Sequence, residues 1–229
     1  MDDKNKCCLL IGSQVNGKVA LDILVKSFGN NHNMNILIVI GGSTEVQPCE
    51  KIRDNIYVSH VKHNSIDYTA LIAVLEHLTT ITKVMNFEPT TWFFMHDTCE
   101  FTNFDLFEQI CRKNNETIPL LKYVSMNMGI YTQHDILSQK DVIMKFRSTD
   151  NPKDNELINL KRNAMKTEDF LFKLLNVVRH KSLSSKINAK EGFHVYPGSN
   201  VKRIVELFPQ IGFQKYKANY GRPGIILNI

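Results

Sequence analysis

Four short apolar runs constrain this chain most: residues 7–11 (CCLLI), 36–40 (ILIVI), 56–61 (IYVSHV) and 91–95 (TWFFM). Each has the length of a strand, and turn formers close the first two, Gly12-Ser13 with Asn16-Gly17 and then Gly41-Gly42. Between them the apolar spacing changes. Val19, Ala20, Ile23, Leu24 and Phe28 recur at helical intervals, and Gly29-Asn30 stops that run. A second helix starts near Ser65, which reads as its cap, and carries Leu71, Ile72, Leu75 and Leu78 on one side. Strand and helix alternate through the first hundred residues. That order predicts an α/β fold: a mostly parallel central sheet with helices on both faces.

The second half is less regular. Residues 104–112 read as a helix and residues 122–132 as strand-like, with Gly129 inside. Residues 151–155 read as a polar linker. Thr167 reads as the cap of a strong helix, with Glu168 and Asp169 in its first turn and Phe170, Leu171, Leu174, Leu175 and Val178 on its apolar face. A Lys- and Ser-rich loop follows Arg179. The remainder is rich in turns and basic residues.

The 229 residues suit a single domain, with a nucleotide-binding half over about 1–100 and a catalytic half over about 101–229. The net charge of +5 is spread along the chain, which suits a small polyanionic ligand as well as nucleic acid. The basic-helix pattern with interleaved aromatics that nucleic-acid binding uses is missing, so no nucleic-acid partner is expected. Five cysteines, an odd number without C-x-x-C spacing, argue for a reducing compartment and against a zinc site. No apolar run reaches membrane-spanning length, so a soluble, cytoplasmic protein is expected.

Several stretches carry candidate chemistry. The 91–95 run ends on His96, Asp97, Thr98, Cys99 and Glu100. Ligands in open α/β sheets bind at carboxyl ends of strands, and hard divalent cations take carboxylate oxygens there. Asp97 and Glu100 are candidate metal ligands, or simply the point where the strand meets water. Residues 12–18 (GSQVNGK) match a P-loop between a strand and a helix, although Val19 stands where a hydroxyl would hold Mg²⁺. A phosphotransferase is therefore one alternative, and a plain turn with a solvated Lys18 is another. Asp169 and Glu168 suit the positive end of a helix, and a carboxylate held there also suits a general base. His194 is a candidate third metal ligand. His60, His63, Asn64, Asp67 and Tyr68 are placed to meet a nucleoside, or to cap and flank the helix. Lys215, Tyr216 and Lys217 suit phosphate oxygens, or a solvated basic stretch.

Taken together, WFFMHDTCEF, SMNMGIY, KTEDFLF and FPQIGFQKYKAN resemble small GT-A glycosyltransferases of the type encoded by large DNA viruses and their bacterial relatives. The resemblance runs from the first strand to about Tyr220 and rests on the order of these segments. It implies a glycosyltransferase that moves a sugar from a nucleotide-sugar donor, UDP by family habit, to a hydroxyl of a glycan or glycoprotein, with inversion. It implies a D-x-D-type motif holding Mn²⁺ or Mg²⁺ at Asp97, with Glu100 and His194 as helpers, because Cys99 stands at the second acid. The catalytic base falls on Asp169, with Glu168 its neighbour, and residues 125–131 lie beside the donor sugar. Gly12, Ser13, Asn64, Asp67, Tyr68, His96, Asp97, Thr98, Lys215 and Lys217 become nucleotide-facing. A binding module that kept this fold without turnover is the non-enzymatic alternative.

Overall fold

β1 shows why the first half folds as it does. In the computed structural model its residues alternate between two buried sides: Cys7, Leu9 and Ile11 join one core cluster, Cys8 and Leu10 the other. A strand covered on both faces must be apolar throughout, which is why the run lacks polar alternation. The structure describes residues 6–29, 32–121, 125–166, 169–175, 177, 181–184, 188–193 and 202–216; for 164–166, 188–193 and 202–205 only the backbone is considered.

The elements in chain order are β1 (Cys7–Gln14), α1 (Lys18–Lys26), β2 (Asn35–Gly41), β3 (Gln47–Arg53), β4 (Ile56–Val61), α2 (Thr69–Met85), β5 (Thr91–His96), β6 (Cys99–Phe101), α3 (Phe104–Lys113), β7 (Ile118–Pro119), β8 (Gly129–Thr132), α4 (Gln133–Ser138), α5 (Lys140–Ile143), α6 (Asp154–Lys166), α7 (Phe170–Leu174), β9 (Asn188–Phe193), β10 (Lys202–Phe208) and β11 (Phe213–Tyr216). Short 3-10 turns lie at Ile66–Tyr68 and Met144–Phe146.

Seven strands form the central sheet in the order β3-β4-β2-β1-β5-β8-β7. β4, β2, β1 and β5 are parallel, β3 and β8 run against them, and β7 is again antiparallel to β8. Five of the seven strands thus share one direction, and the sheet is mostly parallel. One face is covered by Leu24 of α1 and by Phe104 and Phe107 of α3, the other by Leu71, Ile72 and Val74 of α2 with Leu171 and Phe172 of α7. The expected α/β architecture with helices on both faces is what forms. Trp92 packs in the core at 0% exposure and donates from Nε1 to Gln133.

The structure departs from the sequence reading in several places. β1 runs on through Gly12, Ser13 and Gln14, because all three pair with β2. β3 is a half-exposed edge strand whose polar residues hid it. The expected linker at 151–155 holds only to Lys153: Asp154 and Glu156 occupy the first turn of α6, where acids suit the helix dipole. Of the expected strand over 122–132, residues 122–124 lie outside the described residues, 125–128 hold a turn, and Gly129–Thr132 form the strand. The strong helix expected from Thr167 is the short α7, while Thr167 itself lies outside the described residues. The basic C-terminal part builds a second sheet, order β6-β11-β10-β9, antiparallel throughout. Among the described residues no helix is long and apolar enough to cross a membrane.

Candidate active site

The strand order turns back at β1: the chain leaves it for β2 on one side, and β5 later arrives on the other. Such a reversal opens a crevice at the carboxyl ends of the strands. Gly12 stands opposite His96 in the register, so Ser13 and Asp97 follow side by side. Ser13 Oγ donates to Asp97 Oδ2 at 2.6 Å, and Asp97 N donates to Gly12 O at 3.1 Å. Asp97 is 3% exposed. Gly17 is pressed against this pair: a Cβ there would fall 2.6 Å from Asp97 Oδ2 and 2.7 Å from Ser13 Oγ. Asp97 therefore closes the seam between β1 and β5.

β6 and β11 place the next residues. Lys215 stands opposite Cys99, and its Nζ donates to Thr98 Oγ1 at 3.2 Å. Cys99 is 0% exposed inside the core, and burial pushes its thiol up to about 12. Glu100 accepts from Gln214 Nε2 at 2.7 Å across the small sheet. His194, Glu168 and Lys217 lie outside the described residues. Among the described residues no three His, Cys, Asp or Glu side chains gather to hold a metal. Of the three expected cation ligands, Asp97 accepts from Ser13, Glu100 accepts from Gln214 and His194 lies outside the described residues, while the position of the second motif acid is a core cysteine.

Asp67 sits on the 3-10 turn after β4. Its Oδ1 is 3.7 Å from His96 Nε2, too far for a hydrogen bond. Burial raises the Asp67 carboxyl to about 6, while Lys215 and Lys161 pull it back down. Its side chain keeps 21% exposure, so this is a walled crevice open to solvent rather than a sealed core. Burial, helped by Lys215, holds His96 well below the usual imidazole range, and the ring is neutral. His96 Nε2 is buried and has no hydrogen-bond partner among the described residues. Burial also lowers the Lys161 ammonium, which Asp67 pulls back up. The crevice therefore gathers a carboxylate, a neutral imidazole and two lysines. Lys161 had no signal in the sequence, because its helix, α6, read partly as linker.

Asn64 and Tyr68 brace this turn. Asn64 Nδ2 donates to Gln14 Oε1 at 3.1 Å, and Ile66 N donates to Asn64 Oδ1 at 3.3 Å. Tyr68 is 2% exposed and stacks on Phe146, ring centroids 4.1 Å apart. His63 is buried at 1% exposure, and His60 Nδ1 lies 3.1 Å from Ser43 Oγ. Within 12–18 only Val15, Asn16 and Gly17 form a turn, closed by Gly17 N donating to Gln14 O at 2.7 Å. Lys18 Nζ pairs with Asp22 at 2.9 Å on the exposed side of α1.

Asp169 reaches the same edge from β8. In the antiparallel register Phe93 meets Ile130 and Phe94 meets Gly129, so residues 125–128 lie beyond the carboxyl end of β5. A Cβ on Gly129 would fall 2.4 Å from Ile118 O, and its φ of 148° also demands glycine. Met126 and Asn127 both have φ 56°, and Met128 N donates to Ser125 O at 2.9 Å, which makes a tight turn. Ser125 N and Oγ each donate to Asp169 Oδ1 at 2.6 Å. Asp169 is the N-cap residue of α7. The β1–β5 seam and Asp169 thus share one edge of the sheet.

No known family model matches this chain, and no curated protein matches it either.

Proposed function

We propose that this chain is a GT-A-type glycosyltransferase that transfers a sugar, with inversion, from a nucleoside-diphosphate donor to a hydroxyl acceptor. One observation carries the reading: past the switch-point strands Asp67 and His96 lie 3.7 Å apart in the field of Lys215 and Lys161, and a turn-held carboxylate, Asp169, stands at the same end of the sheet. The donor nucleotide lies over the ends of β1, β4 and β5, beside Asp67 and His96. Its diphosphate faces Lys215 and Lys161. As the bond from the sugar C1 to the diphosphate oxygen breaks, that oxygen gathers negative charge, and fixed ammonium groups stabilise it most when water is excluded. The acceptor oxygen bonds to C1 from the opposite side as its proton passes to Asp169. The products are a glycoside of inverted configuration, a nucleoside diphosphate and a protonated Asp169. A divalent cation, if bound, would be held at Asp97 and Glu100, the ligands the resemblance implies, and would supply further positive charge to the diphosphate. UDP is the nucleotide implied by the resemblance, and a glycan or glycoprotein the acceptor.

A second reading is a nucleotide-sugar-binding module, favoured by the burial of Cys99 where the second metal acid would stand. A phosphotransferase built on 12–18 is less well supported, because Gly12 and Ser13 are strand residues and Lys18 is turned to Asp22. Turnover of a panel of UDP-sugars, with hydrolysis as the minimal reaction, separates the three. Asp169→Asn is expected to lower turnover by about 100- to 10,000-fold while UDP affinity stays within about twofold. Tight UDP binding without any turnover in the wild type establishes the module. Nucleoside-triphosphate hydrolysis without UDP-sugar turnover, abolished in Lys18→Ala, establishes the phosphotransferase.

A further inference from the structure

The turn that carries Asp67 adopts a conformation its own sequence disfavours. Ile66 has φ 54°, in the left-handed region where a β-branched side chain is crowded. Such a residue persists only where its surroundings over-determine it. Two local bonds help: Ile66 N donates to Asn64 Oδ1 at 3.3 Å, and Ser65 N to Thr69 Oγ1 at 2.8 Å.

The others come from far along the chain, from a strap formed by residues 147–151. Asn64 N donates to Ser148 Oγ and Ser148 N donates to Ser65 Oγ, each at 2.9 Å. Asn151 N donates to Lys62 O at 3.0 Å, and Asp150 bridges His63 backbone to backbone. Arg147 fastens the strap. Its Nε donates to Glu76 Oε1 of α2 at 2.6 Å, its Nη2 to Asp150 Oδ1 at 3.0 Å and its Nη1 to Ser148 O at 2.9 Å. The strap leads into α6, which carries Lys161 and packs on the Asp67 turn.

We propose that this strap sets the ligand-binding geometry of the crevice: Arg147 and Ser148 are positioning residues that hold the left-handed Ile66 turn, and with it Asp67, against His96. The inference rests on the glycosyltransferase reading only for the identity of the ligand. Neither residue enters the chemistry. Ser148 acts through the Asn64 N–H and the Ser65 hydroxyl, Arg147 acts through Ser148 and Asp150, and the outer side of the strap supplies a control. There Thr149 N and Oγ1 donate to Glu156 at 2.9 and 2.6 Å, bonds that end on α6 and not on the turn.

The test compares Ser148→Ala, Arg147→Gln and Glu156→Gln. UDP affinity is read by calorimetry, donor hydrolysis by kinetics, and the Asp67 carboxyl by ¹³C NMR titration. Expected are a tenfold or greater loss of UDP affinity in the first two variants, a kcat for hydrolysis within twofold of wild type, and an Asp67 titration that drops toward the ordinary carboxylate range. Glu156→Gln changes each of these less than twofold or not at all, and Arg147→Lys recovers part of the affinity. If Arg147→Gln does not fold, Ser148→Ala, which removes a single hydroxyl, carries the test. A Ser148→Ala protein with a lowered melting temperature but unchanged UDP affinity and Asp67 titration overturns the proposal. Failure of the wild type to bind UDP overturns the functional reading instead, and the Asp67 titration then decides the strap alone.

Discussion

Asp97 and Asp67 both lie just past the ends of parallel strands, at one edge of one sheet, yet their surroundings are opposite. Asp97 is 3% exposed, accepts a 2.6 Å hydrogen bond from Ser13 and fills the hollow that Gly17 leaves. Asp67 keeps 21% exposure, is raised to about 6, and faces an imidazole nitrogen at 3.7 Å that has no hydrogen-bond partner among the described residues. A buried carboxylate that is hydrogen-bonded contributes to stability, whereas one held short of a partner costs stability and is available to a ligand. Position in a motif therefore does not decide which acid is engaged inside the fold and which stays open to a ligand. Asp97, the motif acid, joins two strands. Asp67, outside any motif, shapes the crevice.

Four measurements test this contrast. The largest effect is expected for Asp97→Ala, which leaves the Ser13 hydroxyl buried without its acceptor and should lower unfolding free energy by about 2–4 kcal/mol. Asp97→Asn, still an acceptor, should cost about half of that. Urea unfolding reads both; unchanged stability with lost UDP binding would make Asp97 a chemical residue after all.

The second concerns pH. His63 is driven down to about 4, chiefly by burial, with Glu76, Arg147, Asp150 and His77 around it. The fold holds it neutral, so its contribution is complete above its unfolded value near 6.5 and is lost as pH falls toward 4. His96, lowered in the same direction, adds to this. Asp67 opposes them: raised from 3.8 to about 6, it binds its proton more readily in the fold, so its cost is absent below 3.8 and complete above 6. In Asp67→Asn that opposition is gone. Stability should then fall more steeply from pH 6 to pH 4, by on the order of 2–3 kcal/mol relative to wild type. Parallel pH profiles for the two proteins would refute the raised carboxyl.

Third, Gly17→Ala should cost about 1–3 kcal/mol by forcing Asp97 and Ser13 apart. The backbone at Gly17, φ −85°, suits alanine, so the whole cost is steric. An alanine variant of wild-type stability would show that the seam yields. Finally, Lys18→Ala should change stability by less than about 0.5 kcal/mol, because its partner Asp22 is also exposed. A larger loss would mean that the 12–18 segment has a role beyond its turn.

How far the sequence was legible followed from how each part is held. β2, β4, β5 and α1 are apolar on the sides they bury, so spacing alone located them to within a few residues. Asp97 was found because it follows such a run. Its bond to Ser13 was not, because Gly12-Ser13 reads as a turn until the pairing with β2 draws it into the strand. The small sheet was illegible for another reason: Glu100, Gln214 and Lys215 are polar, and their pairing partners are far apart in the chain. Asp67 was legible as a candidate site residue, but burial raises its carboxyl, and the neighbouring Lys161 comes from α6, which no local pattern announced. Cys99 stood out as a departure from the acidic motif. That it belongs to the core follows only from β6 pairing with β11.

That last pairing has a temporal side. All seven strands of the central sheet come from residues 7–132, whereas Lys215 reaches Thr98 across 117 positions. Contacts between distant residues close late, since the loop entropy must be met before they form. A chain emerging from the ribosome can therefore assemble its scaffold and the Asp97 seam while the crevice still lacks Lys215. Maturation of the pocket then becomes a separate event, the docking of a late hairpin, which pulse-labelled hydrogen exchange would time against collapse of the sheet.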